Sequence, residues 1–413
     1  MIKKMKVAVI TSGFLPVPAS KGGAVECLLM NIINENETAK KVEFDVFSIF
    51  DENAKIESKK YNNSNFYFIK PDFFVKFMDN ITFFIAKKIL RKKNSQSYRF
   101  IFQRLYYFYK CSTFLKKYDF DKVILENHPS QYLTLKWKKN YIKYKDNYYY
   151  HCHNQFPGMY GCSDIIRKTK RIFCVSSFRK NNVKDYMKMD EKSFSVLYNA
   201  IDTKTITKKA TNKELNELKK IYNINKNEKI LLFVGRIVPG KGVPELIEAM
   251  KILNNKDCKL LLLGSSLNSL NIKNRFEEDV INKISNDIKD KIIFTGFINY
   301  KEIYKYYSLA DIAVLPSVME DSAPLTIIES LNCGLPIITT DSGGIPEYAK
   351  NGTAIIIKRN KDLVENLAKS IDDLLTNSNK MKNMSKKAYE VSKEFTMNSF
   401  YKNFLKQIDY EED

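Results

Sequence analysis

The segment VGRIVPGKG, residues 234–242, decides the fold, because it links an apolar run, KILLFVG (229–235), to a helical run, VPELIEAMKIL (243–253). A strand that passes through a glycine-rich loop into a helix is the opening of an α/β unit. Glycine lets the backbone come close to a ligand, and the free N–H groups at a helix start favour a phosphate. Arg236 and Lys241 add two positive charges. The segment therefore predicts a phosphate-binding turn at the end of a buried strand.

The same alternation of short apolar runs and helical stretches continues in both directions from this loop. The other predicted strands are residues 6–10, 42–50, 66–70, 121–127, 147–154, 171–177 and 194–200 in the first half, and 258–264, 291–296, 311–317 and 335–340 in the second. Between the halves lies a polar, lysine-rich stretch. We predict two Rossmann-like α/β domains, residues 1–203 and 229–395, with a linker region at 204–228 and a closing helix at 396–413.

Composition limits the protein classes that remain. The chain has 413 residues, 44% of them apolar, and 68 basic against 47 acidic residues give a formal charge of +21. This charge favours polyanionic partners, such as nucleic acid, an anionic membrane or a phosphorylated substrate. No apolar run approaches 18 residues, and the apolar run at the start is too short for a signal peptide. Seven scattered cysteines without a C-x-x-C pair exclude a disulfide scaffold and indicate a reducing compartment, so we expect a cytoplasmic protein.

The spacing Gly235-x₄-Gly240-Lys241 nearly matches a P-loop, but Gly242 stands where a P-loop has Ser or Thr. Two alternative interpretations of this loop therefore stay open. It could be the P-loop of a nucleoside triphosphatase, or it could be a tight structural turn that carries surface cations.

A second motif, residues 316–347, contains three acids that could bind a ligand. Glu320 and Asp321 precede Ser322, a candidate N-cap, and Glu329 lies in the helix that is predicted to follow. From Asp321 to Glu329 a helix would rise about 12 Å. Two carboxylates so separated could hold hydroxyl groups at the two ends of an elongated sugar nucleotide. The alternative is that Glu329 is an ordinary solvated acid.

These motifs, taken in order, resemble glycosyltransferase family four. The resemblance rests on the G-R-x₄-K-G loop, on P-S-x₃-[ED]-x₇-E, and on the G-L-P-I-I-T-T-D-S-G-G-I-P-E run that follows. The segments LPVPASKGGAVE (15–26), YNAID (198–202) and TGFINYKEIYKYYSLADIAVLPS (295–317) also resemble family patterns. The resemblance implies a retaining enzyme of the GT-B class, with two Rossmann-like domains that face a central cleft. It also implies that the closing helix packs back on the first domain.

The resemblance also implies roles for single residues. Arg236 and Lys241 would bind the donor diphosphate, Glu329 the ribose, and Asp321 or Glu320 the donor sugar. The donor-binding candidates are Gly22, Gly23, Gly235, Glu320, Leu325, Glu329 and Phe297, and the catalytic candidates are Arg236, Lys241, Asp321 and His153. His128 and Asn154 are the acceptor candidates.

The three histidines lie at the ends of two predicted strands, where doubly wound sheets bind ligands. His128 follows one strand, and His151 and His153 end another. A zinc site that adds Cys152 and Cys162 is a weak alternative, because a strand would point Cys152 away from both histidines. Buried, hydrogen-bonded histidines are the other alternative. We expect no metal and no cofactor.

The stretch 80–118 interleaves ten Lys or Arg residues with eleven Phe or Tyr and contains no acid. This pattern fits a surface that meets anionic lipid, and it fits equally two core helices with cationic outer faces. Residues 136–145 add five more lysines.

We therefore predict a glycosyltransferase, hexosyl or N-acetylhexosaminyl, that moves a sugar from a nucleotide diphosphate sugar to a hydroxyl acceptor. The acceptor would be a carbohydrate, a lipid-linked molecule or a protein in cell-surface polysaccharide, glycolipid or glycoprotein synthesis. An anionic membrane is a further expected partner, and nucleic acid is not. The sequence leaves two alternatives open: a non-catalytic glycosyltransferase-like subunit, and a P-loop-like nucleic-acid-binding protein.

Overall fold

The computed structural model describes residues 4–90, 98–264 and 275–411. The chain divides into two compact units, Met1–Tyr198 with Phe400–Asp413, and Asn199–Ser399. Each unit contains one parallel β-sheet with helices between its strands, which confirms the predicted α/β class. No helix among the described residues is long and apolar enough to cross a bilayer.

The first unit is built on a seven-stranded sheet of order β3-β2-β1-β4-β5-β6-β7. Its strands are β1 Met5–Ile10, β2 Val42–Ile49, β3 Ser64–Ile69, β4 Lys122–Glu126, β5 Tyr148–Cys152, β6 Arg171–Cys174 and β7 Phe194–Val196. Its helices are α1 Ala24–Ala39, α2 Glu52–Ser58, α3 Phe73–Phe84, α4 Ile101–Lys117, α5 Tyr132–Lys136, α6 Asn140–Lys143, α7 Ser163–Ile166 and α8 Ser177–Met187. A π-helical turn, Ile85–Ile89, extends α3. The strand order reverses between β1 and β4, so the loops after these two strands border the position where such sheets bind ligands.

The second unit is built on a six-stranded sheet of order β10-β9-β8-β11-β12-β13. Its strands are β8 Lys229–Val234, β9 Cys258–Leu263, β10 Ile292–Gly296, β11 Ile312–Leu315, β12 Ile337–Thr340 and β13 Ala354–Ile357. Its helices are α9 Thr203–Ile206, α10 Asn212–Ile221, α11 Val243–Ile252, α12 Arg275–Asn282, α13 Ile303–Leu309, α14 Leu325–Asn332, α15 Ile345–Tyr348, α16 Leu363–Thr376 and α17 Ser378–Ser392. Here the order reverses between β8 and β11, which places the loop 235–242 beside the loop that begins at Pro316.

The closing helix α18, Met397–Gln407, and the residues after it make polar contacts with the first unit. The Tyr401 hydroxyl donates to Asn36 Oδ1 at 2.6 Å, and Arg171 forms an ion pair with Asp409 at 2.8 Å. Tyr149 donates to the same Asp409 carboxylate at 2.9 Å. Residues from Phe400 onward therefore complete the first unit, whereas the predicted closing helix started at residue 396.

Three details of the predicted organisation differ from the structure. The boundary falls after Tyr198, and the predicted linker 204–228 contains most of α9 and all of α10. Helix α10 is polar on its outer face, but Leu218 is buried in the core of the second unit. The strand β13 was not predicted, because its apolar run is only four residues long and follows a glycine turn.

Candidate active site

Two loops of the second unit, 235–242 after β8 and 316–324 after β11, lie in direct contact. The backbone N–H groups of Val318 and Met319 donate to the carbonyl of Gly240 at 2.9 and 3.1 Å. Gly240 and Gly242 have φ of 94° and 76°. A Cβ on Gly240 would lie 2.2 Å from Met319 Sδ, and one on Gly242 would lie 1.8 Å from the Pro316 carbonyl oxygen. These glycines are therefore required for the approach of one loop to the other.

The same observation removes the P-loop alternative. A P-loop needs a Ser or Thr hydroxyl at the position of Gly242. A side chain at this position would collide with the Pro316 backbone, so the loop cannot be a P-loop in this fold.

The contact between the two loops brings Lys241 and Asp321 together. Lys241 Nζ lies 2.5 Å from Asp321 Oδ2, and both side chains keep partial solvent access. The backbone of Asp321 is fixed as well, because its N–H donates to Ser342 Oγ at 3.1 Å and its carbonyl accepts from Gly344 N–H at 2.8 Å. A Cβ on Gly343 would lie 2.1 Å from the Asp321 carbonyl oxygen. The Gly343–Gly344 turn thus holds Asp321 in place beside Lys241.

The neighbouring Glu320 points elsewhere. Its Oε1 pairs with the Arg359 guanidinium at 2.9 Å, and Arg359 also pairs with Asp341 at 3.0 Å. Glu320 is exposed, whereas the Asp321 side chain is only 18% exposed. Of the two adjacent acids, Asp321 is the one beside the cationic loop.

The helix after this loop begins later than predicted. Helix α14 starts at Leu325 with Pro324 as its N-cap residue, so the assignment of Ser322 as N-cap was wrong. Proline at position 324 holds the residue before it out of the helical region. The helical rise of about 12 Å expected between Asp321 and Glu329 therefore does not apply. The loop before α14 determines the separation of the two side chains instead.

Glu329 is buried, which overturns its alternative interpretation as a solvated acid. The Tyr307 hydroxyl, on α13, donates to Glu329 Oε2 at 2.7 Å. Burial raises the pKa of Glu329 from 4.5 to about 7, although the Tyr307 hydrogen bond opposes this rise. With a pKa of about 7, the Glu329 side chain is a carboxylic acid below neutral pH and a carboxylate that accepts hydrogen bonds above it.

The raised pKa predicts a pH-dependent stability. The folded state favours the protonated form of Glu329 over the ionised form. The contribution of this preference to the free energy of unfolding is therefore complete below pH 4.5 and is lost as pH rises through about 7. We expect Glu329→Gln to stabilise the chain at pH 8, by up to about 3 kcal/mol, and to leave stability nearly unchanged near pH 4.5. Thermal melts at both pH values check this, with the exposed Glu217→Gln as the control. A melting difference between Glu329→Gln and wild type that is equal at both pH values would contradict the prediction.

A hollow in the second unit lies at the carboxyl ends of β8, β9 and β10. Its lining includes three predicted residues, Gly235, Arg236 and Phe297. Gly264, at the end of β9, has φ of 132°, and a Cβ there would lie 2.1 Å from the Gly235 carbonyl oxygen. Arg236 is exposed at the rim. Leu325 is half-buried at the start of α14, outside the set of residues that line this hollow.

In the first unit, His151 and His153 meet at one buried carboxylate, Glu126. His151 Nδ1 lies 3.1 Å from Glu126 Oε1, His153 Nε2 lies 3.2 Å from Glu126 Oε2, and the two ring nitrogens lie 3.1 Å apart. All three residues are buried. Burial alone would raise the pKa of Glu126, but the two imidazoles outweigh burial and lower it. Burial and the neighbouring His151 lower the pKa of His153, so Glu126 is ionised and His153 is neutral at pH 7.

Two imidazoles and a carboxylate are also a ligand set that a divalent ion could use. Hydrogen bonds to both carboxylate oxygens account for the same arrangement when each facing ring nitrogen carries a hydrogen atom. Neither Cys152 nor Cys162 belongs to the cluster, so the four-residue zinc site considered from the sequence does not form among the described residues. The absence of a metal requirement stays a prediction.

The loop after β1 contributes Gly22 and Gly23. Gly23 has φ of 106°, and a Cβ there would lie 2.2 Å from the Glu26 carboxylate. Glu26 is buried, and its burial, with the nearby Glu126 charge, raises its pKa. Gly22 has open space around it. The glycine pair thus covers a second buried acid at the start of α1.

The His128 ring contacts Arg104 and Ser130 and does not belong to the Glu126 cluster. Its Nδ1 lies 3.2 Å from an Arg104 nitrogen and 2.8 Å from Ser130 Oγ. Burial and the Arg104 charge lower the pKa of His128 to about 4. Asn154 is exposed, and its amide donates to Asn127 Oδ1 at 3.2 Å. The two acceptor candidates therefore lie in different surroundings.

Residues 215–391 match the sequence family described as "Glycosyl transferases group 1". The chain is 25% identical over 392 residues to spore coat protein SA of Bacillus subtilis, covering 92% of this chain and 93% of that protein. It is 29% identical over 189 residues to the N-acetyl-alpha-D-glucosaminyl L-malate synthase of Bacillus anthracis, about 45% of each chain. The chain is a glycosyltransferase with the GT-B fold, and the group 1 match covers most of its second unit.

A solved structure shows the same fold for the whole glycosyltransferase. Anabaena Alr3699/HepE in complex with UDP superposes with a TM-score of 0.70, covering 98% of this chain and 100% of that chain, at 14% identity. The predicted fold class and the predicted glycosyltransferase activity are both confirmed.

The structure of the glycosyltransferase brings some of the predicted site residues together and separates others. Lys241 and Asp321 touch, and Gly235, Arg236 and Phe297 line one hollow. Glu320 and His128 turn away to Arg359 and Arg104. The individual roles assigned to these residues stay predictions.

Sequence reasoning missed several side chains that hold the predicted ones in place. These are Glu126, Glu26, Arg104, Tyr307 and Ser342. Glu126 carried a signal, because it is a charged residue at the end of an otherwise apolar strand, VILE. Tyr307 carried none, since nothing in the sequence distinguishes it from the nearby Tyr304 and Tyr306.

Proposed function

We propose that the glycosyltransferase transfers its sugar with retention at the anomeric carbon, from a UDP-sugar to a hydroxyl group. The observation that carries this proposal is the Lys241–Asp321 pair beside the start of helix α11. The pair joins a cation suited to a diphosphate with a carboxylate suited to sugar hydroxyls. The UDP in the Alr3699/HepE structure supports uridine as the base.

The proposed chemistry needs little beyond charge and position. Lys241 and Arg236, with the free N–H groups of α11, stabilise the negative charge that grows on the departing nucleoside diphosphate. Asp321 accepts hydroxyl hydrogens of the donor sugar. Glu329 accepts those of the ribose, as a carboxylate desolvated by burial. The Asp321 carboxylate is engaged by Lys241, and we propose that the acceptor oxygen attacks on the face that the leaving group vacates. The leaving phosphate takes the acceptor proton.

The first unit offers a pocket for the acceptor. Its wall carries four cations and, among the described lining residues, no acid: Lys21, Lys70, Lys76 and Arg104. Burial lowers the pKa of Arg104 to about 10, so it keeps its charge at neutral pH. Arg104 also stacks on Phe14, 3.8 Å from the ring centroid, and both residues contact His128. We propose an acceptor that carries a phosphate or carboxylate beside its hydroxyl, bound next to His128.

We propose a role in cell-surface carbohydrate synthesis. The name of the spore coat relative supports such a role. We further propose that the enzyme works in the cytoplasm, peripherally at the inner face of the plasma membrane, where a lipid-linked anionic acceptor would be available.

The test is release of nucleoside diphosphate by the purified chain. We expect a thermal-shift screen of UDP-, GDP- and ADP-sugars to identify the donor, and that donor to be turned over when an acceptor is present. Binding of a sugar nucleotide without any release of nucleoside diphosphate, with or without acceptors, would favour a non-catalytic subunit.

Activity is expected to survive chelation, because cationic side chains and a helix start replace the metal on the diphosphate. The measurement is turnover before and after dialysis against EDTA. Complete loss of turnover that Mn²⁺ or Mg²⁺ restores would contradict this prediction. In that case, Glu126→Gln would test whether the Glu126–His151–His153 cluster holds the ion.

A further inference from the structure

Helix α3 turns an aromatic face outward. Phe73 is 84% exposed, Phe74 68%, Phe77 49%, and Phe84 57%. At 100° per residue, Phe73, Phe77 and Phe84 fall within about 40° of one another, and Ile81 and Phe74 extend the stripe to about 100°. Water-facing helices normally show the reverse pattern, with polar residues outward. A contiguous stripe of this kind marks a surface that binds something apolar.

The helix is held in this orientation by a contact on its opposite side. Asp79 is buried, and its carboxylate accepts from the backbone N–H groups of Phe102 and Gln103 at 2.8 and 3.0 Å. These are the first free donors of α4, where an acid is favoured. These hydrogen bonds join α3 to α4 through Asp79 and leave the aromatic stripe outside.

Positive charge borders the stripe. Lys76 lies about 60° from Phe73 around the helix, and Lys87 and Lys88 follow in the π-helical turn. Arg99 lies over the Phe83 ring at 5.6 Å. All four cations are exposed, and among the described residues none of them forms an ion pair with an acid. Arg91, Lys92 and Lys93, which the sequence analysis included in the same basic stretch, lie outside the described residues.

We infer that the aromatic stripe of α3 inserts into the headgroup region of an anionic lipid bilayer, with Lys76, Lys87, Lys88 and Arg99 on the lipid phosphates. An interfacial helix combines these two features, an apolar face with a basic border. A second copy of the chain fits less well, because the cationic borders would meet, and the chain carries +21 overall. This inference specifies the surface for the membrane association proposed above, and it does not depend on catalysis.

The stripe also shares its helices with the proposed acceptor pocket. Lys76 of α3 lines that pocket, as do Gln103 and Tyr106 of α4. A bilayer bound to α3 would therefore place lipid headgroups beside the pocket, where a lipid-linked acceptor could enter without leaving the membrane.

The experiment is vesicle flotation of the full chain with phosphatidylglycerol–phosphatidylcholine vesicles and with pure phosphatidylcholine vesicles. We expect binding to the anionic vesicles, and at least tenfold weaker binding after the triple substitution Phe73→Ser, Phe77→Ser and Phe84→Ser. The matched control removes three equally exposed apolar residues of the second unit, Ile221→Ser, Ile252→Ser and Tyr389→Ser, and should bind as wild type does. Equal binding by the stripe variant and the control variant would overturn the inference.

A second pair of variants tests the charged border. Lys87→Glu, Lys88→Glu and Arg99→Glu should weaken binding at least tenfold at low salt, whereas Lys213→Glu, Lys220→Glu and Lys226→Glu should have a much smaller effect. High salt should weaken wild-type binding but not abolish it, since insertion of the aromatic rings is not screened. Two results together would overturn insertion: wild-type binding that vanishes at 1 M salt, and binding that is unchanged by the Phe→Ser substitutions. The contact with the vesicle would then be electrostatic only.

Insertion has its own spectroscopic readout. The sequence contains a single tryptophan, Trp137. Phe77→Trp adds a second at the stripe, and brominated phosphatidylglycerol should quench its emission beyond the quenching of wild type. Unchanged quenching would overturn insertion. Light scattering gives the molar mass in solution. If wild type had the mass of a dimer and the triple Phe→Ser variant that of a monomer, the stripe would instead be assigned to self-association. Donor binding, followed by thermal shift in every variant, shows whether the second unit is intact, so failure here is separable from failure of the proposed function.

Discussion

Arg236→Ala and Lys241→Ala should each reduce sugar transfer by roughly thirtyfold to a thousandfold. Each substitution removes a charge-assisted contact to the donor diphosphate, which is worth about 2–4 kcal/mol where charge develops on a leaving group. The fold should survive, because Arg236 is exposed and the side chain of Lys241 is partly exposed. The measurement is steady-state turnover at saturating donor, with circular dichroism and melting temperature as checks on folding.

The Lys241–Asp321 contact sharpens this prediction. Because the two side chains form one ion pair, their effects on kcat/KM should not add, and the double variant should lose less than the product of the two single losses. Lys251→Ala is the matched control, since it removes a surface lysine that pairs with Glu248 on the same helix, α11. Turnover within threefold of wild type for both Arg236→Ala and Lys241→Ala would show that the diphosphate binds elsewhere.

Asp321→Ala should lower kcat/KM for the sugar nucleotide tenfold or more, while Glu320→Ala should be mild. The structure supports this ranking through contacts, since Asp321 faces Lys241 and Glu320 is engaged by Arg359. The loss should appear for the sugar nucleotide and not for the free nucleoside diphosphate, because the carboxylate is expected to hold sugar hydroxyls only. Isothermal titration with each ligand separates the two effects.

Asp321→Asn is the informative companion to this experiment. It keeps the size of the side chain but removes the ion pair with Lys241, so a partial loss is expected between the values for wild type and Asp321→Ala. If Glu320→Ala proved the more harmful substitution on the same donor, Glu320 would take over the sugar-binding role, and the Arg359 pairing would have to open when donor binds.

The alternating pattern of the sequence was sufficient to predict most of the fold. Continuous apolar runs such as KILLFVG and CKLLLLG, when helices separate them, are typical of strands in a parallel sheet that is covered by helices on both faces. The linker was misassigned because most residues of α10 are polar, and its packing through Leu215 and Leu218 shows that it belongs to the second unit. The helix start at Ser322 was misassigned because a proline two residues later outweighs an N-cap preference.

For the site, the sequence by itself determined the chemical types and the order of Arg236, Lys241, Asp321 and Glu329, and it placed them after two strands. Tertiary structure alone decided that Asp321 and not Glu320 meets Lys241, and that Tyr307 holds a buried Glu329 whose pKa rises to about 7. It also decided that His151 and His153 share Glu126. The reason is physical: local sequence fixes the spacing along one strand or helix, whereas these contacts join residues 22 to 80 positions apart. Their distances and burial depend on how separate loops pack, and at Gly240, Gly242 and Gly343 that packing requires the absence of a side chain.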